Sequence, residues 1–517
     1  MPSLEVSPPI STAPGRSLVS IEVLAFVVGA ASLGAEIAAA RLMAPWFGAS
    51  TIVWANTIAT VLVALSVGYF VGGRLADRDP TPAGLSRVIL AAAILLAIVP
   101  FIANPFLRVS VEALDSVSAG AFVGSLLGVL VLIAVPVVLL GAVAPYAVRL
   151  TVTTVEEAGR VAGRLYAIST LGSLAGVFLA SLVLVPFVGT RRTFLCFAVA
   201  LALVAALGMG RRWAIVLPLL LASLVAVPVG TVKATGGGKV IWERETEYQY
   251  ARVVQDPDGE RRLELNEGQA VHSVYTPGQW LTGNYWDEML VLPFAAQPAR
   301  APRSVAILGN AAGTTARAYG HYFPGTRIDG VEIDGELNHV GRELFDLRAP
   351  DLHLHTADAR PFLRQADRRW DVIIVDAYRQ PYIPFYLSTR EFFSLVRKRL
   401  TPGGVVIVNV GHPEHSDRLE KVLSATMARE FQTVLRDPSQ PVNTMLVGTD
   451  APASATTLAA AAGPDGTLPP LLRPTAEATA SRLAPRLRGG KVYTDDVAPV
   501  EWLIDASIVQ VAADGQK

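Results

Sequence analysis

SVAILGNAAGTTARAYGHYFPGTRIDGVEID (304–334) decides the fold of the C-terminal half. SVAILG (304–309) is an unbroken apolar run closing on glycine, the pattern of a strand covered on both faces. Residues 313–321 suit a helix, and TRIDGVEID (326–334) is a second strand that ends in acids. The rhythm then repeats, with a helix over 335–346, a short third strand over 352–356 and a fourth, DVIIVDAY (371–378), again ending in an acid. A helix over 388–400, a turn at Pro402, Gly403 and Gly404, and a fifth strand VVIVNV (405–410) complete it. Strands alternating with helices predict a parallel, doubly wound sheet. Such sheets bind ligands beyond the carboxyl ends of their strands, near the topological switch point. That geometry selects five places: Gly309 with Asn310, Glu332, Asp358, Asp376, and Asn409 to Gly411.

Upstream the period changes. VIWERETEYQYARVVQD and RRLELNEGQAVHSVY alternate in period two around the turn Asp256-Pro257-Asp258-Gly259, a hairpin signal that predicts a small antiparallel subdomain over 240–300. The α/β domain is expected over 301–450, a C-terminal extension over 451–517, and a Gly-rich linker over 231–240.

The N-terminal half is different in kind. Of 517 residues 51% are hydrophobic and only 17% charged, and the charges are sparse between Ser17 and Gly230. Residues 1–17 are Pro- and Ser-rich and read as disordered. A bilayer core about 30 Å thick takes roughly 20 apolar helical residues. Seven runs qualify within 18–231: about 18–40, 51–73, 86–106, 120–148, 165–188, 193–210 and 213–231. The fourth is long and carries Pro136, a place for a kink or break. A multi-pass helical membrane domain joined to a Rossmann-like α/β domain is therefore the expected fold, located in the cell membrane.

With seven crossings, nine Lys and Arg fall on the N-terminal side and six on the other, which favours a cytoplasmic N-terminus. An odd count would place the α/β half outside, against a cytoplasmic supply of nucleoside cofactor. One miscounted helix, expected in the fourth run, would remove that conflict. Glu36 and Arg41 near the end of the first run read either as an interfacial acid paired with an arginine or as an intramembrane functional acid. Gly172 and Gly176 stand in the spacing of closely packed helices.

Lys plus Arg is 44 and Asp plus Glu is 44, so charge offers no argument for nucleic acid as a partner. The single cysteine, Cys196, excludes an intrachain disulfide and a cysteine-based zinc site. His353 and His355 alternate on one short strand without a third ligand, so no metal is expected. Glu332 lies 23 residues after Gly309, the place of an acid that accepts hydrogen bonds from ribose hydroxyls. With Asp358 and Ala359 after the next strand, the reading is an adenosine site.

These residues together resemble the aminopropyltransferase (spermidine synthase) family over about 240–450, and the membrane-fused arrangement resembles its multi-pass bacterial members. GRLADR (73–78) and DAYRQPYIPFYLSTREFF (376–393) carry that likeness. The resemblance implies a Rossmann-like methyltransferase fold behind a small β subdomain. It assigns Gln249 to the thioadenosine group, Glu332 to the ribose, Asp358 and Ala359 to the adenine side, and Gly309 to the glycine turn. Asp376 is implied as the proton acceptor, with Tyr378 beside it at the substrate. The implied reaction moves an aminopropyl group from decarboxylated S-adenosylmethionine to an amine such as putrescine, giving spermidine and methylthioadenosine, without metal and with room for a homodimer.

The chain departs from that pattern where a second positive charge would bind. GNAAGTT (309–315) lacks the family's aspartate, Arg379 and Gln380 stand where a second acid is expected, and a YHE-like segment reads Trp286-Asp287-Glu288. Asp287, Glu288, or Asp495 and Asp496 in YTDDVAPVE are the candidates to compensate. Trp280, Tyr285 and Trp286 could wall a cation pocket, and His272 could touch the substrate. Two other functions stay open at this point: an S-adenosylmethionine-dependent methyltransferase, and an inactive polyamine-sensing or transport membrane protein.

Overall fold

The computed structural model describes residues 19–47, 51–114, 120–209, 212–227, 232, 237–266, 270–378, 383–504 and 506–507. The chain divides into two compact units, one of residues 1–42, 56–106 and 126–230, the other of residues 43–55, 107–125 and 231–517; the helical half and the α/β half are described in turn.

The helical half begins with α1 (Ile21–Phe47), α2 (Thr51–Arg78) and α3 (Pro82–Leu114). The long fourth run is two helices, α4 (Gly120–Leu132) and α5 (Ala134–Thr151), which part at Ile133, three residues before Pro136. α6 (Val155–Phe178) runs through a π-helical stretch, Leu179–Leu184, into the short α7 (Val185–Val188); α8 (Thr190–Met209) and α9 (Val216–Val225) follow. Thr154 starts α6 with a capping box closed by Glu157, which satisfies amide groups that the first turn leaves unpaired. Against seven expected crossings, six helical spans among the described residues are long and apolar enough to cross a membrane. The difference lies in the seventh run rather than the fourth, because α9 has only 10 residues. α1 and α6 pack at backbone contact. A Cβ on Gly172 would stand 2.0 Å from the Phe26 carbonyl oxygen, and one on Gly176 would stand 2.1 Å from that of Ala30.

The α/β half opens with a four-stranded antiparallel sheet in sequence order, β1 (Lys239–Glu245), β2 (Tyr250–Gln255), β3 (Arg261–Leu265) and β4 (Val271–Tyr275). Its buried face, Ala251, Val253, Leu263 and Leu265, packs on Leu337, Val340 and Phe345 of the following domain. That contact holds the small sheet over the strand ends of the large one.

The large sheet has eight strands. β5 (Ser304–Leu308), β6 (Arg327–Glu332), β7 (Leu352–Thr356), β8 (Trp370–Val375) and β9 (Leu400–Gly411) are parallel; β10 (Thr433–Gln440), β11 (Asn443–Thr449) and the short β12 (Ala484–Pro485) complete it in antiparallel fashion. The order is β12-β10-β11-β9-β8-β5-β6-β7. β5 pairs with β6 on one side and β8 on the other, so the strand order reverses at its carboxyl end. The expected turn at Pro402 to Gly404 lies inside β9, where the pairing with β8 shifts register.

The apolar runs bury both faces, as their lack of alternation requires. Val305, Ile307, Val372, Ile374, Val405 and Ile407 enter one core, while Ala306, Leu308, Ile373, Val375, Val406 and Val408 enter the other. Each fully buried aliphatic side chain contributes about 1.5–3 kcal/mol relative to exposure. Helices α10 (Tyr285–Val291), α11 (Thr314–Tyr322), α12 (Gly335–Leu344), α13 (Ala359–Gln365), α14 (Arg390–Arg399), α15 (Arg418–Met427), α16 (Ala455–Ala462) and α17 (Arg473–Arg482) cover the sheet and its rim.

Candidate active site

A cavity of about 450 Å³ opens over the ends of β5, β6 and β8. Gln249, His272, Gly309, Glu332, Asp358, Ala359, Asp376 and Tyr378 all line it.

β5 reaches this cavity through a turn only glycine permits. Gly309 has φ +87°, and a Cβ there would stand 2.5 Å from the carbonyl oxygen of Asp376. The amides of Gly309 and Asn310 both donate to Val331 O, at 2.9 and 3.0 Å, which holds the turn against β6. The next residue, Ala311, also has positive φ, and its amide points at Glu332, donating to Oε2 at 2.9 Å. Asp334 N donates to the other carboxylate oxygen at 3.1 Å. Glu332 is thus gripped by two backbone amides while buried. Burial outweighs those bonds and pushes its carboxyl up to about 7.

Asp334 and Asp358 begin helices. Asp334 accepts from Glu336 N at 3.2 Å, capping α12, and its other oxygen receives Thr246 Oγ1 at 2.6 Å and Gln249 Nε2 at 3.4 Å. The cap therefore aims Gln249, carried on the segment before β2, into the cavity. Asp358 caps α13 through Arg360 N at 3.0 Å and receives the Tyr386 hydroxyl at 2.8 Å. Capping satisfies one otherwise unpaired amide of a helix's first turn.

Asp376 is different. Its contacts come from side chains: Asn409 Nδ2 donates to Oδ1 at 2.8 Å, and the Tyr285 hydroxyl stands 3.5 Å from Oδ2. Asn409 is itself oriented, because Asn443 Nδ2 donates to its Oδ1 at 2.9 Å and leaves only the amino group to face the acid. Tyr378 braces the same corner, donating to Asn409 O at 2.7 Å and receiving Gly411 N at 2.6 Å. Burial pushes Asp376 up to about 7, against the opposing bonds from Asn409, Trp286 and Tyr285. His272 is buried beside the cavity, its Nε2 without a partner among the described residues, and burial pulls it down to about 4. It is therefore a neutral acceptor or donor at neutral pH.

The four compensating acids are not brought to this cavity. Asp287 turns back on its own loop and accepts from the amides of Thr282 and Gly283, at 2.9 and 2.7 Å. Glu288 pairs with Arg482 at 3.2 Å. Asp495 receives Arg360 Nη2 at 2.6 Å and Thr389 Oγ1 at 2.7 Å, and Asp496 is exposed. The physical reason is local supply: each of the first three has amide or guanidinium partners closer than the cavity. Arg379 and Gln380 lie outside the described residues. His353 and His355 are taken up by Asp351 and Asp329, at 2.7 and 2.9 Å.

The structure adds residues that the sequence reading did not single out. Tyr248, Phe385, Tyr386 and Glu501 line the cavity. Tyr386 sits inside the quoted DAYRQPYIPFYL segment, so position alone could have flagged it. Glu501 closes the quoted YTDDVAPVE segment, from which only Asp495 and Asp496 were singled out.

Acids at the ends of β6, β7 and β8 thus surround the glycine turn of β5 at the switch point, the place where parallel sheets bind ligands. Residues 285–446 match the family model of the Spermine/spermidine synthase domain. Over 191 residues the chain is 38% identical to the "Probable polyamine aminopropyl transferase" of Bifidobacterium longum, covering 37% of this chain and 42% of that protein. It is 30% identical over 112 residues to the polyamine aminopropyltransferase of Vibrio vulnificus, covering 21% and 38%. The matches thus span less than half of either relative. Among solved structures, a "probable spermidine synthase" from Corynebacterium glutamicum aligns with 52% of this chain and 99% of its own, at 24% identity and a TM-score of 0.39.

Proposed function

We propose that the α/β half transfers an aminopropyl group from decarboxylated S-adenosylmethionine to an amine such as putrescine, giving spermidine and methylthioadenosine. The observation that carries this reading is Asp376, a half-buried carboxylate that desolvation pushes up to about 7, in the same cavity as Glu332 and Asp358.

Glu332 accepts from the ribose hydroxyls, Asp358 and Ala359 hold the adenine side, and Gln249 closes over the thioadenosine. Gly309 lets the backbone approach it. Asp376 then meets the acceptor's ammonium group. An amine is protonated at neutral pH and has no lone pair to offer, so a base is needed. With its pKa lifted towards 7, Asp376 takes that proton more readily than an ordinary aspartate. The freed nitrogen attacks the aminopropyl carbon bonded to sulfur; the C–S bond breaks and its electron pair returns to sulfur, leaving a neutral thioether. Holding nitrogen, carbon and sulfur in line supplies much of the rate. Tyr378 and Asn409 keep Asp376 aimed.

The cavity also bears on the donor. Intact S-adenosylmethionine carries a carboxylate that calls for a basic partner. Among the described residues no Lys or Arg lines the cavity, and Arg379, next to the lining residue Tyr378, lies outside them, so the product decides the donor. Incubating the purified full-length protein with each donor and a panel of mono- and diamines, with products read by mass spectrometry, tests this. Methylthioadenosine with an aminopropylated amine is expected; a methylated product overturns it.

We also read the helical half as lying in the bilayer, with the α/β half cytoplasmic. Six crossings return the chain to the side on which it began. Lys233 and Lys239 then join the basic residues of the N-terminal side, leaving only Arg41, Arg108, Arg191 and Arg192 opposite among the flanking residues. Resistance to carbonate extraction and protection of the α/β half from external protease in intact cells would be expected.

A further inference from the structure

We propose that the α/β half docks on anionic lipid headgroups through the amino-end edge of its large sheet, the edge opposite the cavity. The proposal rests on the helical half lying in the bilayer and is independent of the transfer reaction.

A parallel sheet presents the amino ends of its strands on one edge and the carboxyl ends on the other. β9, β8 and β5 are parallel neighbours, so the residues leading into them meet on one edge. Those residues are basic. Arg303 precedes β5, Arg368 and Arg369 precede β8, and Arg397, Lys398 and Arg399 lead into β9. Neighbouring strands lie about 4.8 Å apart, so the three groups form one row about 10 Å wide at the backbone.

The acids of this edge do not cancel the row. Asp371 is buried and accepts from Arg303 N at 2.8 Å and Thr401 Oγ1 at 2.7 Å, with Arg300 at 3.5 Å. Asp329 is buried, accepts from Trp370 Nε1 at 2.9 Å and reaches Arg368 only at 3.9 Å. Glu430 and Asp450 are held by Arg390 and Arg397, at 3.0 and 2.7 Å. Asp367 is the exposed acid of the turn before β8. Arg303, Arg369 and Lys398 are exposed, and among the described residues none of them has a carboxylate at ion-pair distance. A groove of about 490 Å³ opens there, with Arg369, Arg397 and Lys398 on its wall beside Glu430 and Asp450.

The row selects an anionic partner. Guanidinium forks match phosphate oxygens two at a time, and an ammonium group meets them as a point charge. The thirteen residues 226–238 join α9 to β1 and span at most about 45 Å, so the α/β half stays within reach of a bilayer surface. Headgroups of anionic lipids are the phosphate array at that distance. Docking by this edge leaves the carboxyl ends of β5, β6 and β8, with their cavity, turned to the water from which charged substrates arrive.

The test uses the full-length protein, after carbonate extraction has established membrane integration. Nanodiscs of phosphatidylcholine alone are compared with nanodiscs that also contain phosphatidylglycerol. Reductive methylation with formaldehyde, an uncharged reagent, is read by mass spectrometry at Lys398 and Lys491. Lys491 is exposed and follows Gly490, which packs on Lys421 O in the first turn of α15, on the carboxyl-end side of the sheet. Phosphatidylglycerol should slow methylation of Lys398 about fivefold or more and leave Lys491 unchanged. About 0.5 M salt, where the Debye length falls to about 4 Å, should remove that protection. Arg303→Glu combined with Arg369→Glu should remove it too, with turnover at the distant cavity unchanged. Equal reactivity of Lys398 in the two discs overturns the docking. So does protection that Lys491 shares, or that survives salt or the double reversal. Protection by inorganic phosphate in phosphatidylcholine discs also overturns it, in favour of a soluble anion. A protein that carbonate strips from the membrane overturns the bilayer reading on which the docking depends.

Discussion

Glu332 at the end of β6 is buried and Asp376 at the end of β8 is half-buried at the cavity wall, and desolvation lifts both to about 7. Their holders differ. Backbone amides of Ala311 and Asp334 fix Glu332, whereas Asn409 and Tyr285 side chains hold Asp376. A backbone grip does not depend on side-chain identity and suits a group whose task is to bind. A side-chain grip sets the acid's basicity residue by residue, which suits a group that must take a proton and release it. On the proposed reading, two acids raised to about 7 serve different roles, and their surroundings differ accordingly.

The largest expected effect falls at β8. Asp376→Asn keeps shape and removes the base, so turnover should drop about 10²–10⁴-fold while methylthioadenosine affinity, read by calorimetry, stays near wild type. Wild-type turnover in this variant would erase the distinction between the two acids.

Glu332→Ala should show the opposite split. Losing the acceptor for the ribose hydroxyls weakens methylthioadenosine binding by about 1–3 kcal/mol, with turnover at saturating donor less affected. Unchanged affinity would remove Glu332 from the site.

pH separates the two acids further. Asp376 must be ionised to accept a proton. With donor saturating, kcat/KM for the amine should therefore rise with pH through about 7 and level off above it. Asn409 donates to the ionised form, so Asn409→Ala should move that limb to higher pH by about 1 unit. A limb that stays in place would show that side chains do not set Asp376's basicity.

Tyr386→Phe deletes the hydroxyl held to Asp358 and should weaken donor binding by about 0.5–1.5 kcal/mol, without moving the pH limb. Smallest is Asp495→Ala. Its bond to Arg360 is partly exposed to solvent, so stability should change by less than about 1 kcal/mol and turnover hardly at all. A large loss of turnover would return the C-terminal acids to the acceptor site.

The strand-end acids were legible because a parallel sheet places its functional groups by rule. Gly309, Glu332, Asp358 and Asp376 follow from counting strands. What went unread depends on contacts between distant segments. Asp287 and Asp495 look from sequence like free acids near the pocket, yet Thr282, Gly283 and Arg360 claim them. Asn409 was marked as a strand end, but its task against Asp376 depends on Asn443 across the β9–β11 pairing.

Hydrophobic periodicity alone determined the two-part architecture, the helical half and the parallel order of β5 to β9, because burial of apolar surface is a local property of the chain. Tertiary structure decided how many helices are long enough to cross, which acids reach the cavity, and that, among the described residues, Glu36 and Lys398 find no ion pair. Those outcomes turn on which of several nearby hydrogen-bonding groups meets each side chain first. That competition is settled by distances of a few ångströms between residues far apart in sequence.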